Sequence, residues 1–250
     1  MPKFFVSPDS ICGDYISVSG ETVHHLLHVL RVRHGDVVIF CDGLGMDYYA
    51  SLMSMPCANA SKKSKKPVAV FEINNIASCL TEPAINITLF QALPKGDKLD
   101  LIIQKCVELG VGEIIPVHTE RTVATAKDSL KKTIRYQKIA ESAAGQSMRG
   151  KIPIIHPTQS FESTLKMKSS NFILLAYEQE DCRSLKSVLV NSTFNSISIW
   201  IGPEGGFTEG EVSALCKIGA IPVTLGRRIL RTETAAISAV AQIICLCCDI

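Results

Sequence analysis

Glu204, Arg227, Arg228, Arg231 and Glu233 fall in or beside two glycine turns near the end of this chain. Strand-to-helix turns that serve packing alone are filled with small apolar residues, so charge gathered in such a place points to a ligand. The first turn reads Ile201-Gly202-Pro203-Glu204-Gly205-Gly206-Phe207. The second reads Leu225-Gly226-Arg227-Arg228-Ile229-Leu230-Arg231-Thr232-Glu233-Thr234-Ala235. Glycine supplies tight backbone where a Cβ would obstruct a bound molecule. The spacing is neither that of a phosphate loop, which needs Gly-Lys-Ser/Thr, nor that of a dinucleotide fingerprint. One such turn alone is often only structural. Two together at neighbouring strand ends form a crevice of the kind in which α/β proteins hold cofactors.

The flanking segments are the elements that must position these turns. Ile197 to Ile201 alternates apolar and polar residues and predicts a strand. Thr208-Glu209-Gly210-Glu211 is a capping box opening a helix that runs to about Gly219. A short strand, Pro222 to Leu225, and a last helix from about Thr232 repeat the plan. Upstream, strands at 85–91, 113–117 and 172–177 alternate with helices at 96–109 and 128–147, the pattern of an α/β domain with a largely parallel sheet. Residues 1–72 differ: short strand-like pieces at 16–18, 37–40, 48–50 and 68–71, with one helix at 21–31, read as a small β-barrel. The expected division is 1–72 and 73–250, with a short linker near 74–82. Lys62, Lys63, Lys65 and Lys66 sit between two strand candidates, as a solvated hairpin loop or as phosphate contacts.

Composition narrows the class. A chain of 250 residues, 46% hydrophobic and 20% charged, is ordinary globular protein, and a net charge of +2 permits a nucleic-acid partner without arguing for one. The ten cysteines are scattered apart from one cluster, Cys245-x-Cys247-Cys248, in an apolar helical run, which favours buried free thiols over disulfides or a metal site. His24 and His28 have metal-like spacing, but no third ligand follows, so no metal is expected. The start lacks the apolar core of a signal peptide, and the longest apolar run, Ala235 to Cys248, is too short for a bilayer. The reading is a soluble cytoplasmic protein.

Along its whole length the chain carries an ordered set of motifs. They are Phe4-Phe5-Val6; His25-Leu26 with Val29-Leu30-Arg31; Gly35-Asp36 and Asp42-Gly43; Gln91 to Asp97; Gln104-Lys105 with Glu108 to Val111; Glu120-Arg121; and Glu141 to Arg149 with Pro153. With the two C-terminal turns, this set resembles the RsmE-type small-subunit rRNA uracil-N3 methyltransferases, members of the SPOUT (trefoil-knot) group. The resemblance implies an N-terminal PUA-like β-barrel that helps bind RNA, and an α/β methyltransferase domain whose last segment threads a loop into a deep knot, which most folds avoid.

It also implies S-adenosylmethionine bent into the knot and held mainly by backbone groups. Those would belong to Leu175, Ala176, Gly202, Pro203, Glu204, Gly205, Leu225, Gly226, Ile229, Leu230 and Arg231. Methylation of uracil N3 needs loss of its proton, so an arginine can stabilise the developing anion and a carboxylate can accept the proton. Arg231 suits the first role, and Glu204 and Glu233 are the candidates for the second. A helix-capping pair of Arg231 with Glu233 is the structural alternative. Lys3, His25, Arg31, Lys95, Lys105, Arg121, Gln146 and Arg149 are the expected RNA contacts. Lys3 stands where the family usually has arginine, which would weaken any bidentate contact. The resemblance further implies homodimers and action on small-subunit rRNA within the assembled 30S particle. An RNA-binding assembly factor that has lost turnover is the competing reading from another class.

Overall fold

The computed structural model describes residues 3–54, 68–123, 129–167, 172–190 and 194–247. The lysine run 62–66 lies outside them. The chain divides into two compact units, residues 1–82 with 145–151, and residues 83–144 with 152–250.

The first unit is a six-stranded sheet. Its strands are β1 (Lys3–Phe5), β2 (Ile11–Cys12), β3 (Tyr15–Ser19), β4 (Val37–Cys41), β5 (Met46–Ser54) and β6 (Val68–Ser78), in the order β1-β4-β5-β6-β3-β2. Only β1 and β4 pair in parallel; the other registers are antiparallel. Helix α1 (Glu21–His24) continues as a wide turn through His25–Val29 and sends Val23 and Leu26 into the interior. There they meet Ile16, Val38, Leu52 and the edge-to-face pair Phe40 and Phe71. The sequence places the domain boundary at 72/73, yet β6 runs through that point. Residues 75–78 still pair with Met46 to Tyr49, which keeps them in the first sheet.

The second unit is a seven-stranded parallel sheet. Its strands are β7 (Asn86–Ala92), β8 (Glu113–His118), β9 (Ile154–Ile155), β10 (Gln159–Ser160), β11 (Phe172–Ala176), β12 (Ser196–Ile201) and β13 (Ile221–Val223). The order is β10-β8-β7-β12-β11-β13, with β9 also on β8. Strands β7 and β12 are buried along almost their whole length, as expected of central strands covered on both faces. The helices are α2 (Lys98–Glu108), α3 (Ser129–Gln146), α4 (Phe161–Thr164), α5 (Leu185–Leu189), α6 (Glu209–Lys217) and α7 (Thr232–Cys247). Phe90 stacks on Trp200 at 4.2 Å, with Phe161 set edge-on to the indole, and Leu175, Phe207 and Leu215 complete this core. Helix α7 is rich in alanine and packs closely on α2. Among the described residues no helix is long and apolar enough to cross a membrane.

Candidate active site

Parallel register brings the carboxyl ends of β11, β12 and β13 together: Leu175 lies opposite Trp200, and Ala176 opposite Val223. The segments leaving those ends surround a cavity of about 480 Å³. Ala176 to Glu178 and Glu180-Asp181 form one side, Ile201 to Glu204 with Gly206 another, and Thr224 to Thr232 with Ala235 the third.

The first turn is tightly specified. Gly206 has φ +67°, and a Cβ there would collide with the Glu178 carboxylate. Thr232 Oγ1 donates to the Gly202 carbonyl at 2.7 Å and accepts from Gln91 Nε2 at 3.0 Å, tying the turn to the start of α7. From the opposite side Arg121 Nη1 donates to the Gly205 carbonyl at 2.7 Å. The capping box of α6 forms as the sequence predicts, and the Glu211 carboxylate also accepts the Glu120 N–H at 2.9 Å.

Glu204 is an ion-paired acid. Its Oε1 accepts from Lys98 Nζ at 2.7 Å and from the Lys95 N–H at 3.2 Å. Partial burial works to raise its pKa, but the Lys98 bond and the backbone N–H groups outweigh it and hold the carboxyl below its usual range. Lys98 is raised in turn, chiefly by Glu204. Glu233 Oε2 lies 3.6 Å from the same ammonium, buried and without a hydrogen bond, and Glu233 does not line the cavity. Arg227, Arg228 and Arg231 are exposed on the rim, and no ion pair links Arg231 to Glu233 among the described residues.

Of the residues assigned to a cofactor from the sequence, Ala176, Gly202, Pro203, Glu204, Leu225, Gly226, Ile229, Leu230 and Arg231 all line this cavity. Leu175 is in the apolar core and Gly205 is occupied by Arg121; neither lines it. The residues assigned to RNA are scattered. In the first unit His25, Arg31 and Gln146 are exposed, whereas Lys3 and Arg149 are buried. Lys3 Nζ is 2.6 Å from Asp47, and Arg149 Nη2 is 2.7 Å from Glu82, so both charges are spent inside the unit. In the second unit Lys95 is exposed, Lys105 pairs with Glu108 at 2.9 Å, and Arg121 holds the glycine turn. Lys98, Gln91 and Glu178 were not among the sequence candidates. A signal for Lys98 was present: a cation in the first turn of a helix opposes the helix dipole, a cost that a facing acid offsets. Glu180, Asp181 and Cys182 bring ligand atoms within 4.8 Å of one another on the rim, a grouping common at exposed acidic loops without any ion.

A parallel α/β sheet with this cavity at its strand ends is the frame of a ligand-binding enzyme, and comparison with known proteins gives its class. The family described as RNA methyltransferase domain matches residues 81–244. The ribosomal RNA small subunit methyltransferase E of Bacillus subtilis is 37% identical over 235 residues, covering 91% of this chain and 88% of that protein. Among solved structures, a ribosomal RNA small subunit methyltransferase E from Neisseria gonorrhoeae, bound to S-adenosyl methionine, superposes with a TM-score of 0.84 at 34% identity over 98% of each chain. A methyltransferase from Legionella pneumophila in complex with the same cofactor gives 0.83 at 26% identity, covering 99% of this chain and 98% of that one. The chain belongs to the RNA methyltransferase family, in the group of the ribosomal RNA small subunit methyltransferases E.

Proposed function

We propose that this protein transfers a methyl group from S-adenosylmethionine to N3 of a uridine in small-subunit ribosomal RNA, acting on the assembled 30S particle as a cytoplasmic homodimer. The observation that carries the reading is the cavity at the ends of β11, β12 and β13, lined by both glycine turns and by Arg231, whose side chain has no ion-pair partner among the described residues. Its size is within the ~300–1,000 Å³ range of small-molecule sites, and at the cavity-lining Gly226 nothing stands within 4 Å of where a Cβ would be, so its backbone is open to a ligand. Backbone groups of Ala176, Gly202, Pro203, Leu225, Gly226, Ile229 and Leu230 would hold the cofactor, with Leu175 and Gly205 contributing only through their neighbours. When bound, the cofactor supplies an electrophilic methyl group on a sulfonium.

Arg231 acts on the uracil. A guanidinium beside the ring favours the N3 anion and so eases departure of the proton. Glu204, the carboxylate of the pair that lines the cavity, is placed to accept that proton and pass it to solvent, with its basicity lowered by Lys98; Glu233 lies behind it, 3.6 Å from the same ammonium. The first unit, with its mixed six-stranded sheet, is read as the PUA-like RNA-binding barrel. The second is read as the trefoil-knotted domain, a reading supported by β13, the last strand, lying beside β11 rather than β12. His25, Arg31, Lys95 and Gln146 are the exposed candidates for RNA.

The test incubates the protein with labelled S-adenosylmethionine and small ribosomal subunits from a strain lacking its own enzyme, followed by digestion and nucleoside identification. N3-methyluridine at one site is expected, and any other methylated nucleoside refutes the assignment. Arg231→Ala should lower kcat by roughly 100-fold or more while the thermal unfolding curve keeps its shape. Full activity in that variant would remove Arg231 from the chemistry.

A further inference from the structure

The second unit holds six arginines, and they divide cleanly. Arg121, Arg135 and Arg183 are engaged by the Gly205 carbonyl, Asp100 and Glu180. The side chains of Arg227, Arg228 and Arg231 have no ion-pair or hydrogen-bond partner among the described residues, although Glu178, Glu180 and Asp181 line the same cavity. The free three share one loop. Its base is pinned: Gly226, at φ +128°, exchanges bonds with Thr224 Oγ1, which accepts from the Gly226 N–H at 3.2 Å and donates to its carbonyl at 3.1 Å. Beside them Ile229 is 89% exposed, an unusual state for an isoleucine on a cavity rim.

Charge decides what such a rim is for. S-adenosylmethionine is a net cation, with a sulfonium, an ammonium and one carboxylate, so it does not call for three unpaired guanidiniums. A polyanion does. The inference rests on the RNA-methylating reading above, in which Arg231 serves the uracil and the other two remain to be explained. N3 lies on the Watson–Crick edge, where pairing and stacking hide it, so the target nucleotide must be turned out of its strand. The phosphates on either side of a turned-out nucleotide then need fixed counter-charges, and a planar guanidinium can hold each in a two-bond fork. The gap left in the stack needs an apolar filler, as wedge side chains provide in proteins that unstack nucleic acid.

We infer that Arg227 and Arg228 grip the two phosphates flanking the target uridine, and that the Ile229 side chain fills the space the base leaves behind. Backbone atoms of Ile229 remain available to the cofactor.

The test compares the wild type with the double variant Arg227→Ala/Arg228→Ala and its charge-keeping counterpart Arg227→Lys/Arg228→Lys. Cofactor affinity is measured by titration calorimetry, and binding to small subunits is measured across a salt series. For the alanine pair we expect cofactor Kd within twofold of wild type and a KM for particles raised about tenfold or more. The slope of log K against log salt should flatten by about 1.4, two single-strand phosphates at ~0.7 each. The lysine pair should restore the slope but not the full KM, since charge returns without the fork. An unchanged slope, or a tenfold loss of cofactor affinity, overturns the assignment; the latter would give the arginines to the cofactor carboxylate. Ile229→Ser should lower kcat severalfold at unchanged molecular mass in sedimentation. A fall in mass would assign that side chain to a second copy of the chain, and an unchanged kcat would refute the wedge. Binding slopes are read without reference to methyl transfer. A wild type that methylates nothing therefore sinks the proposed function alone, and a wild type that methylates while the variant slope is unmoved sinks this inference alone.

Discussion

Lys98 is the residue on which the charge balance of the site turns. Its ammonium reaches Glu204 at 2.7 Å and Glu233 at 3.6 Å, so one side chain joins α2, the first glycine turn and the start of α7. Without it, two carboxylates would face each other across the space, one with a buried oxygen that has no hydrogen bond. Repulsion would then move the turn, and a shift of about 1 Å in a positioning segment can cost roughly 100-fold in rate. Lys98→Met is therefore expected to lower kcat/KM by about that factor, with Lys98→Arg recovering part of it. The Glu204 carboxyl, now held low by the ammonium, should titrate at higher pH in the methionine variant, moving any acid limb of the rate profile upward. Kinetics across pH 4 to 8 check both points, and a variant with the wild-type rate and profile would show that the clamp is idle. The pair is invisible in sequence because its partners stand 106 residues apart. Local pattern identifies a charged helix start and a charged turn, but not that they meet.

Helix α6 and the exit of β8 hold the glycine turn from the other side. The Glu211 carboxylate accepts the N–H groups of Thr208 and Glu120, both at 2.9 Å, while Thr208 Oγ1 accepts the Glu211 N–H and donates to Glu120. Thr208→Ala should cost ~1 kcal/mol, the usual worth of such a cap. Glu211→Ala should cost more, about 2 kcal/mol, because it strands two backbone donors at once. The single tryptophan, Trp200, lies in the core of this unit, so urea midpoints followed by its fluorescence measure both variants; the reverse order of losses would refute the account. This element was legible. Thr208 and Glu211 announce the cap by type and spacing, and Ile197 to Ile201 announces the strand before it. The two-residue strands β9 and β10, and the helices α4 and α5 of four and five residues, are too short for any period to register. Strand β6 runs on into the expected linker because Asn75 to Ser78 gain partners on β5, a tertiary fact that local composition does not carry. Most of the cavity lining was legible for the same local reason that α6 was, since glycines and charges cluster in sequence at both turns.

At the scale of the whole chain, the two units differ in where they keep their charges. The second displays on its rim cations that have no ion-pair partner among the described residues, while the first encloses cations that the sequence alone assigns to a surface. Lys3 and Arg149 are basic residues within family-like motifs, and only their distant partners, Asp47 and Glu82, show that they are structural. Glu82 is bound by Arg149 through Nε and Nη2 and accepts the N–H groups of Gly150 and Lys151 at 3.0 and 3.1 Å. It thereby fixes residues 145–151 into the first unit. Burial works to raise its pKa, but the guanidinium and the two N–H groups outweigh burial and lower it. A carboxyl lowered in the folded state stabilises above its unfolded value of ~4.3 and loses that contribution as pH falls through the folded value. Lys3 is raised instead: burial would lower it, and the bonds to Asp47 and Cys79 prevail, so its own contribution is lost only at alkaline pH. The acid window therefore belongs to Glu82 rather than to Lys3. Glu82→Gln removes the carboxylate paired with the buried Arg149 and should cost about 3–5 kcal/mol at pH 7. It should also flatten the acid slope of stability below about pH 4.3 relative to wild type. The double variant Glu82→Leu/Arg149→Met removes both charges and should recover much of the loss, as apolar replacement of buried pairs often does. Far-UV circular dichroism during urea titration at pH 7 and at pH 3.5 separates these outcomes. Equal acid slopes in wild type and Glu82→Gln would mean that this pair does not govern the acid response of the first unit.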